Sequence, residues 1–419
     1  MVAPNDQITV TIDKPAAGGR MIGRIDGQVA LISGAIPGER VTARVSRVAK
    51  GAMYGDTVSV ERASRDRRPT FGDPLCGGCL YSHISYPRQL EVKADLIADA
   101  FVRIGRLSLP SPVEVTPSPE EGYRMRARLH RRGRRLGFFR EGTHEVCDPR
   151  QTRQLLPQTC DTLERLAAAL DSLGAESVRE VEISENITAA ERVVELEWTA
   201  GGEPPGQRAA AMLMSVDGLG PGPYVTDEIV VEGRHIRLRR HVLAFFQGNR
   251  YLVASLAAHV INCVPAGTAL LDLYAGVGLF SVASAVLRDA RVTAVEGDRF
   301  AAADLHANAS VTGSQLTTVQ APVEAFLGSR VPAEPPGRGR KIETVIIDPP
   351  RTGMTRQALD GTVGLGASRL IYVSCDVATL ARDARRIVDA GYAIERVDGF
   401  DMFPNTPHVE TVVVFQALI

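Results

Sequence analysis

TALLDLYAGVGLFS, residues 268–281, decides the fold of this 419-residue chain. Its apolar start is typical of a buried strand, and the glycine turn that follows opens a helix. Gly276 and Gly278 let the backbone approach a cofactor closely, and Glu296 ends the next predicted strand, where a carboxylate accepts hydrogen bonds from ribose hydroxyls. Ser281 replaces the third glycine of the dinucleotide pattern, which favours S-adenosylmethionine over NAD. A tight turn without a ligand is the alternative.

Strand and helix patterns alternate around this segment. From Arg250 onward, strand patterns such as RVTAVEGD, ETVIIDPPR and RLIYVSCD alternate with helical patterns such as NRYLVASLAAHVIN and ATLARDARRIVDA. This alternation predicts an α/β domain at 237–419 with a Rossmann-like, doubly wound and mostly parallel sheet. Such sheets bind ligands at the carboxyl ends of their strands. The Pro-, Gly- and Arg-rich stretch at 331–341 is predicted to be a loop.

The first 62 residues are predicted to form a separate small barrel. Short alternating strand patterns fill residues 7–60 between Gly, Pro and Asp turns. Four or five such strands would close as an OB-like barrel. Its cationic residues are Arg20, Arg24, Arg40, Arg44, Arg47 and Lys50. They favour a nucleic-acid-binding appendage, with a solvated barrel surface as the alternative.

Residues 63–236 are predicted to form a β-rich central domain. An Arg-, Asp- and Pro-rich hinge leads to the segment CGGC at 76–79 and to a helix that begins near Tyr86. Further on, alternation in RMRARL places Arg124, Arg126 and Arg128 on one face of a strand. Arginines in this arrangement neutralise the phosphates of RNA or DNA. The alternative is an edge strand that charge protects from aggregation.

The composition is that of a globular protein with two or three domains. Hydrophobic residues make up 44% of the chain and charged residues 23%, and the net charge of −1 argues against a protein that is basic all over. The sequence lacks an apolar run of membrane-spanning length and a secretory leader, so we expect a cytoplasmic protein without a membrane partner. Its six cysteines are therefore predicted to be reactive or metal-binding thiols before disulfides.

Three more residues with useful chemistry follow predicted strands. Asp348 begins the stiff loop DPPR, which is moderately specific for methyltransferases of nucleobases; an Asp that caps a turn is the alternative. Cys375 precedes a helix whose N-terminus would lower the pKa of its thiol and make it a nucleophile, whereas an inert buried cysteine is the alternative. Glu410 begins the last strand and is a candidate general base, although edge glutamates are commonly just solvated.

Taken together, these motifs resemble one family, the S-adenosylmethionine-dependent RNA uracil-5-methyltransferases. The matching segments are FFQGN at 245–249, DLYAGVGLFS at 272–281, VEGD at 295–298, DPPRTG at 348–353, YVSCDVATLARD at 372–383 and FPNTPHVETV at 403–412. The amino-terminal barrel is similar to the TRAM RNA-binding module found in many members. The resemblance covers nearly the whole chain and implies RNA as the partner, with no protein partner.

The resemblance also implies residue roles. Cys375 would add to carbon 6 of uracil, and Glu410 would remove the proton from carbon 5. The S-adenosylmethionine site would comprise Gln247, Tyr274, Gly276, Gly278, Glu296 and Asp348. A stacked base hides carbon 6, so the target uridine must be flipped out or drawn from a loop. By analogy with barrel-bearing members we expect 23S rRNA as substrate, with the T-loop uridine of tRNA as the main rival.

The chain departs from the family pattern at its cysteines. Many members hold a 4Fe-4S cluster through C-x5-C-G-G-C and a distant fourth cysteine. Cys76 and Cys79 match this pattern as candidate metal ligands, but Thr70 and Thr152 stand at the other two positions. Since such a cluster normally needs four thiolates, Cys147 or Cys160 would have to substitute, and a tight loop or a weak metal site is the alternative. Asp376 and Val377 also stand where the usual proline would follow the catalytic cysteine.

Three other functions compete with this interpretation. A nucleobase amino-methyltransferase would use the DPP loop but needs no nucleophilic thiol. An RNA-binding factor with a vestigial catalytic domain would explain the degraded cysteine set, yet Cys375, Glu410 and the glycine turn are intact. A NAD-dependent oxidoreductase would need the third glycine and leaves the basic tract unexplained. The sequence therefore predicts an RNA uracil-5-methyltransferase.

Overall fold

The computed structural model describes residues 2–49, 51–199, 206–329 and 342–418, without the side chains of 206–209. The predictions made for Lys50 and for the 331–341 loop lie outside these ranges. No helix within the ranges combines the length and the apolar character that crossing a membrane requires.

The small amino-terminal barrel is confirmed and has five strands. They are β1 (Gln7–Pro15), β2 (Met21–Ile25), β3 (Gln28–Ser33), β4 (Arg40–Ala49) and β5 (Ala52–Arg62). The sheet closes in the order β1-β2-β3-β5-β4, and alternate side chains of each strand fill its interior. Gly23 permits a close approach of β2 to β1, since a Cβ there would come within 2.4 Å of Val10 Cγ2. Gly19, with a φ of +89°, sits in the β1–β2 turn, where a Cβ would lie 3.2 Å from Pro407 Cγ.

A long helix follows the CGGC segment. Helix α1 (Tyr86–Ala100) begins at Tyr86, as predicted, and has a proline in its first turn. It continues into a π-helical turn at Phe101–Gly105. Strand β6 (Glu114–Thr116) comes next along the chain. The buried face of α1 carries Gln89 and Lys93 as well as apolar residues.

The central sheet is antiparallel and covered by a helix on one face. Its elements are β7 (Arg126–Arg132), β8 (Arg135–Phe139), β9 (Val146–Cys147), α2 (Pro149–Thr152), α3 (Pro157–Ser172), β10 (Val178–Glu185), β11 (Arg192–Trp198) and α4 (Gly206–Ser215). The strand order is β11-β10-β7-β8-β9. Leu163, Leu166 and Leu170 of α3 pack with Leu129 and Val181 of the sheet, which buries the apolar stripe of the helix.

The carboxyl-terminal half supplies the rest of the elements. They are β12 (Tyr224–Val231), β13 (Arg234–His241), α5 (Val253–Asn262), β14 (Ala269–Leu273), α6 (Leu279–Arg288), β15 (Arg291–Glu296), α7 (Arg299–Ala309), β16 (Leu316–Gln320), α8 (Val323–Gly328), β17 (Thr344–Ile347), α9 (Arg356–Gly364), β18 (Arg369–Ser374), α10 (Val377–Asp389), β19 (Tyr392–Phe400) and β20 (Glu410–Ala417). A 3₁₀ segment spans Ser310–Gln315.

The predicted doubly wound α/β sheet is confirmed. Eight strands run in the order β16-β15-β14-β17-β18-β20-β19-β6, and β14 to β18 are parallel. The order reverses between β14 and β17, and the crevice at such a reversal is where ligands bind. Strand β20 is antiparallel to both of its neighbours. Every residue of β14 and β17 is buried, which explains their continuous apolar patterns.

Two elements cross the predicted domain boundaries. Strand β6 lies inside the proposed central domain of residues 63–236 but pairs with β19 at the edge of the large sheet. The boundary at 236/237 falls within β13, whose hairpin rests on α7 through an Arg239–Asp304 ion pair of 3.1 Å. The division at 1–62, 63–236 and 237–419 therefore stays a prediction.

Candidate active site

The glycine turn after β14 lies at the reversal of strand order. Tyr274, Gly276 and Gly278 all have positive φ values, of 62°, 56° and 98°, so the chain turns sharply before α6. A Cβ at Gly278 would come within 2.8 Å of Leu305 Cδ1, so a residue with a side chain would have to displace the leucine. The turn lies at the carboxyl end of β14, the end of the strands at which such sheets bind ligands.

Glu296 is fixed in front of this turn. It ends β15, and its carboxylate accepts hydrogen bonds from the backbone N–H of Gly276 at 2.8 Å and of Asp298 at 2.7 Å. Asp298 in turn caps α7 by accepting from two backbone N–H groups. The position of the carboxylate is thus set before any ligand arrives.

Asp272 and Ser281 form a buried contact that the sequence reasoning missed. The Ser281 hydroxyl donates to the Asp272 carboxylate, and burial raises the pKa of Asp272 to about 7. The sequence drew attention to Ser281 only as a missing glycine. Its hydrogen bond ties the first turn of α6 to the end of β14, so serine has a structural reason to be there.

Gln247 and Asp348 are joined by a hydrogen bond. The Gln247 amide donates to Asp348 Oδ2 at 3.3 Å, which joins the FFQGN segment to the loop after β17. Burial raises the pKa of Asp348 well above its usual range, and the negative charges of Glu410 and Asp272 raise it further. Asp348 is therefore close to both the glycine turn and Glu410.

Cys375 and Glu410 are brought together by strand register. In the antiparallel β18–β20 pair, Ser374 is opposite Thr411, so Cys375 and Glu410 follow at adjacent positions of the same end. Glu410 is 3% exposed, and burial raises its pKa to about 7, against the attraction of the Arg351 guanidinium. The carboxyl group thus changes its charge near neutral pH.

The expected lowering of the Cys375 pKa is wrong for the protein without ligands. Burial, followed by the charge of Glu410, raises the pKa of the thiol to about 12, although Arg351 opposes this. The N-terminus of α10 does not help, because Asp376 already caps it by accepting from the N–H groups of Ala378 and Thr379. A negative cap cancels the favourable end of the helix dipole.

Arg351 is a site residue to which the sequence reasoning gave no role. It follows Asp348 in the DPPR loop, and its charge lowers the pKa of both Cys375 and Glu410 relative to burial alone. Its position in the DPPR motif is the sequence feature that could have identified Arg351 as a site residue.

The arginine-rich strand is only partly as predicted. Arg128 is exposed but pairs with Glu182 at 2.6 Å, and Arg131 is buried against Asp171 at 2.7 Å. Arg124 donates to Gln154 Oε1 at 2.9 Å instead of facing solvent. Arg126 lies beside Phe245 of the FFQGN segment, with its guanidinium carbon 6.0 Å from the ring centroid. Neighbouring carboxylates thus neutralise part of this tract.

The cysteines do not fit an iron–sulfur cluster. Cys76 is joined to Cys147 in a disulfide, so the expectation of thiols before disulfides is wrong for this pair. The Thr152 hydroxyl donates to the Pro149 carbonyl at 2.7 Å, and burial raises the pKa of Cys79 to about 12. Across the described ranges, no group of three or more His, Cys, Asp or Glu side chains is arranged to hold a metal ion. The predicted metal role of Cys76 and Cys79 finds no support in this geometry.

Comparisons with known proteins identify the family of the chain. Residues 336–418 match the family model of tRNA (uracil-5-)-methyltransferases, and residues 4–58 match the TRAM domain. An uncharacterized RNA methyltransferase of Thermotoga maritima is 31% identical, covering 96% of this chain and 98% of its own. A 23S rRNA (uracil(1939)-C(5))-methyltransferase of Halomonas elongata is also 31% identical, covering 95% of this chain and 87% of its own.

A solved structure shares the fold. The tRNA (uracil-54, C5)-methyltransferase of Pyrococcus abyssi, in complex with S-adenosyl-L-homocysteine, aligns with a TM-score of 0.71 at 23% identity, covering 97% of this chain and 99% of its own. The full-length relatives place the chain among the RNA methyltransferases. Within that class, the chain belongs to the RNA uracil-5-methyltransferase family and carries the TRAM barrel.

Proposed function

We propose that this enzyme methylates carbon 5 of a uridine in 23S rRNA through a covalent intermediate on Cys375. The observation that carries the proposal is the β18–β20 register, which puts a thiol and a carboxylate side by side at the ligand-binding end of the sheet. The curated relatives at about 30% identity include enzymes named for 23S rRNA. The TRAM barrel and the central sheet are proposed to hold the RNA.

The co-substrate site is proposed to consist of the residues around the glycine turn. Glu296 is placed to accept hydrogen bonds from ribose hydroxyls, and Gly276 and Gly278 let the backbone approach the ligand. Tyr274, Gln247 and Asp348 complete the set. S-adenosylmethionine supplies an electrophilic methyl group on a sulfonium ion.

Cys375 makes carbon 5 of uracil reactive. The Cys375 thiol loses its proton to solvent, the resulting thiolate attacks carbon 6, and the carbon 5–carbon 6 π electrons move to give an enolate. Carbon 5 of the enolate then takes the methyl group, and the carbon–sulfur bond of the donor breaks to leave a neutral thioether. The pKa of the thiol is high in the free protein, so the thiolate that attacks is a minor species there, and the Arg351 guanidinium is the charge that favours it.

Glu410 completes the reaction. Its carboxylate takes the proton from carbon 5, the electrons of that C–H bond restore the carbon 5–carbon 6 double bond, and the Cys375 thiolate leaves. A pKa near 7 suits this step, since the base is then strong enough to accept a proton and still about half ionised at neutral pH.

The experiment uses 5-fluorouridine, which replaces the departing proton with fluorine. The protein and S-adenosylmethionine are incubated with fluorouridine-substituted 23S rRNA domains or tRNA, and complexes that survive denaturation are measured. We expect an adduct with the rRNA that is lost in Cys375→Ala and kept in Cys263→Ala, a matched change at another free cysteine.

The other outcomes would revise the proposal. An adduct with tRNA alone would keep the chemistry and reassign the substrate. Methyl transfer without any adduct would remove Cys375 from its role and favour methylation of an amino group.

A further inference from the structure

The segment that delivers Glu410 is held from outside the methyltransferase sheet. This segment, residues 401–409, is called the base loop; it connects β19 to Glu410 at the start of β20. Its backbone is nearly all buried, and Asn405 within it has a left-handed φ of 64°. A side chain other than glycine keeps such a conformation when its surroundings enforce it.

Lys93 of α1 makes the first of the enforcing contacts. Its ammonium group lies 2.5 Å from the Asp401 carboxylate, and both side chains are fully buried. The same ammonium group donates to the Phe403 carbonyl at 3.0 Å. A buried ion pair of this kind has little net effect on stability compared with apolar packing, but it strongly favours one geometry over others.

Gln89 makes the second contact, one turn earlier on the same face of α1. Its amide nitrogen donates to Asn405 Oδ1 at 2.9 Å, and its amide oxygen accepts from the Asn405 backbone N–H at 2.9 Å. Gln89 and Lys93 are four residues apart, so they present their polar ends side by side. Together they bind Asp401, Phe403 and Asn405 in the first half of the base loop.

The thiol is supported differently. Cys375 lies between β18 and α10. Strand β18 is paired on both sides within the sheet, and α10 is capped by Asp376. The contacts of Gln89 and Lys93 reach the base loop and not this segment. A shift of the base loop would therefore move Glu410 more than Cys375.

We propose that Gln89 and Lys93 are positioning residues for the proton-removal step. The inference rests on the proposed role of Glu410 as the base. The two side chains hold the base loop so that the Glu410 carboxylate meets the carbon 5 proton after methyl transfer. Addition of the thiol and methyl transfer come before that step and do not depend on the contacts of Gln89 and Lys93 with the base loop.

The test separates the two halves of the reaction in single turnovers. Adduct formation with 5-fluorouridine RNA reports thiol addition and methyl transfer, and tritium release from RNA labelled at uridine carbon 5 reports proton removal. The variants are Gln89→Met, which introduces no unpaired charge, and the double variant Lys93→Met with Asp401→Leu, which removes the whole buried pair. Lys14→Met is the control, because Lys14, on barrel strand β1, also forms an ion pair with α1, but at Asp99 in the last turn of the helix.

We expect tritium release in both test variants to fall about tenfold or more, while fluorouridine adduct formation stays within about twofold of the unchanged protein. With ordinary RNA, the methylated covalent intermediate should accumulate. The Lys14→Met control should change neither rate. Parallel losses in both assays, or unchanged tritium release in a folded variant, would overturn the inference. If the unchanged protein forms no fluorouridine adduct, the proposed function itself fails, which is a different result.

Discussion

Glu410 sits where a charged carboxylate is costly. Burial raises its pKa from 4.5 to about 7, so the folded protein binds a proton that the unfolded chain releases between these values. A raised carboxyl pKa stabilises the fold fully below the unfolded pKa, and this contribution is lost as pH rises through the folded pKa. The proposed base is therefore also a group whose ionisation destabilises the fold as the pH rises to neutrality.

We predict that Glu410→Gln makes the free energy of unfolding less dependent on pH. Between pH 4.5 and 7 the unchanged protein should lose up to about 3 kcal/mol from this one group, and the variant should not. Urea unfolding curves across this pH range measure the difference. Parallel curves for the two proteins would show that the carboxyl group titrates normally.

Glu296 offers a second test at the residue scale. We predict that Glu296→Gln weakens S-adenosylmethionine binding about tenfold, because an amide accepts ribose hydrogen bonds less well than a carboxylate and has one oxygen where Gly276 and Asp298 use two. Isothermal titration calorimetry gives the dissociation constant. Glu197→Gln, a change at an exposed position of β11 in the central sheet, is the matched control, and equal affinities in both variants would remove Glu296 from the site.

At the scale of single elements, α10 joins stability to thiol chemistry. Asp376 caps the helix directly after Cys375, and its charge occupies the end of the helix that would otherwise favour a thiolate. The cap stabilises the start of the helix beside the Cys375 sulfur.

We predict that Asp376→Ala costs about 1 kcal/mol of stability and speeds alkylation of Cys375 by iodoacetamide. Asp298→Ala removes an equivalent cap from α7 and should cost a similar amount without changing alkylation. Chemical denaturation and peptide mass spectrometry provide the two readouts. An unchanged alkylation rate in Asp376→Ala would mean that the helix end has no influence on the thiol.

Elements were easier to predict from sequence than contacts. Periodicity placed the buried strands and α10 correctly, because those patterns are local. The nearness of Cys375 to Glu410 came from the family resemblance, since it depends on the register of β18 and β20. The error about the Cys375 pKa has the same origin, because the charge of Glu410 and the burial of the thiol exist only in the fold.

At the scale of the whole molecule, the disulfide changes how the CGGC segment is held. It joins Cys76, one of the two cluster ligands that the family resemblance implied, to Cys147 on β9. The pairing was invisible in the sequence, because it requires the β8–β9 hairpin to fold back over the segment.

We predict that the unfolded, unreduced protein titrates four thiols with Ellman's reagent and that reduction raises the number to six. Anaerobic treatment with iron and sulfide should give no stoichiometric cluster absorbance near 400 nm, since a cluster needs four thiolates at one place. Six thiols before reduction, or iron bound at four atoms per chain, would contradict the structure.

The turn at Gly19 limits how freely the barrel can be exchanged. Its backbone lies against Pro407, inside the base loop, with space for a hydrogen and little more. The barrel thus contacts the loop that leads to Glu410, in addition to its proposed role in RNA binding. A barrel grafted from another protein would need a residue at this point that accepts a positive φ, because a Cβ there would press on Pro407 and Leu80.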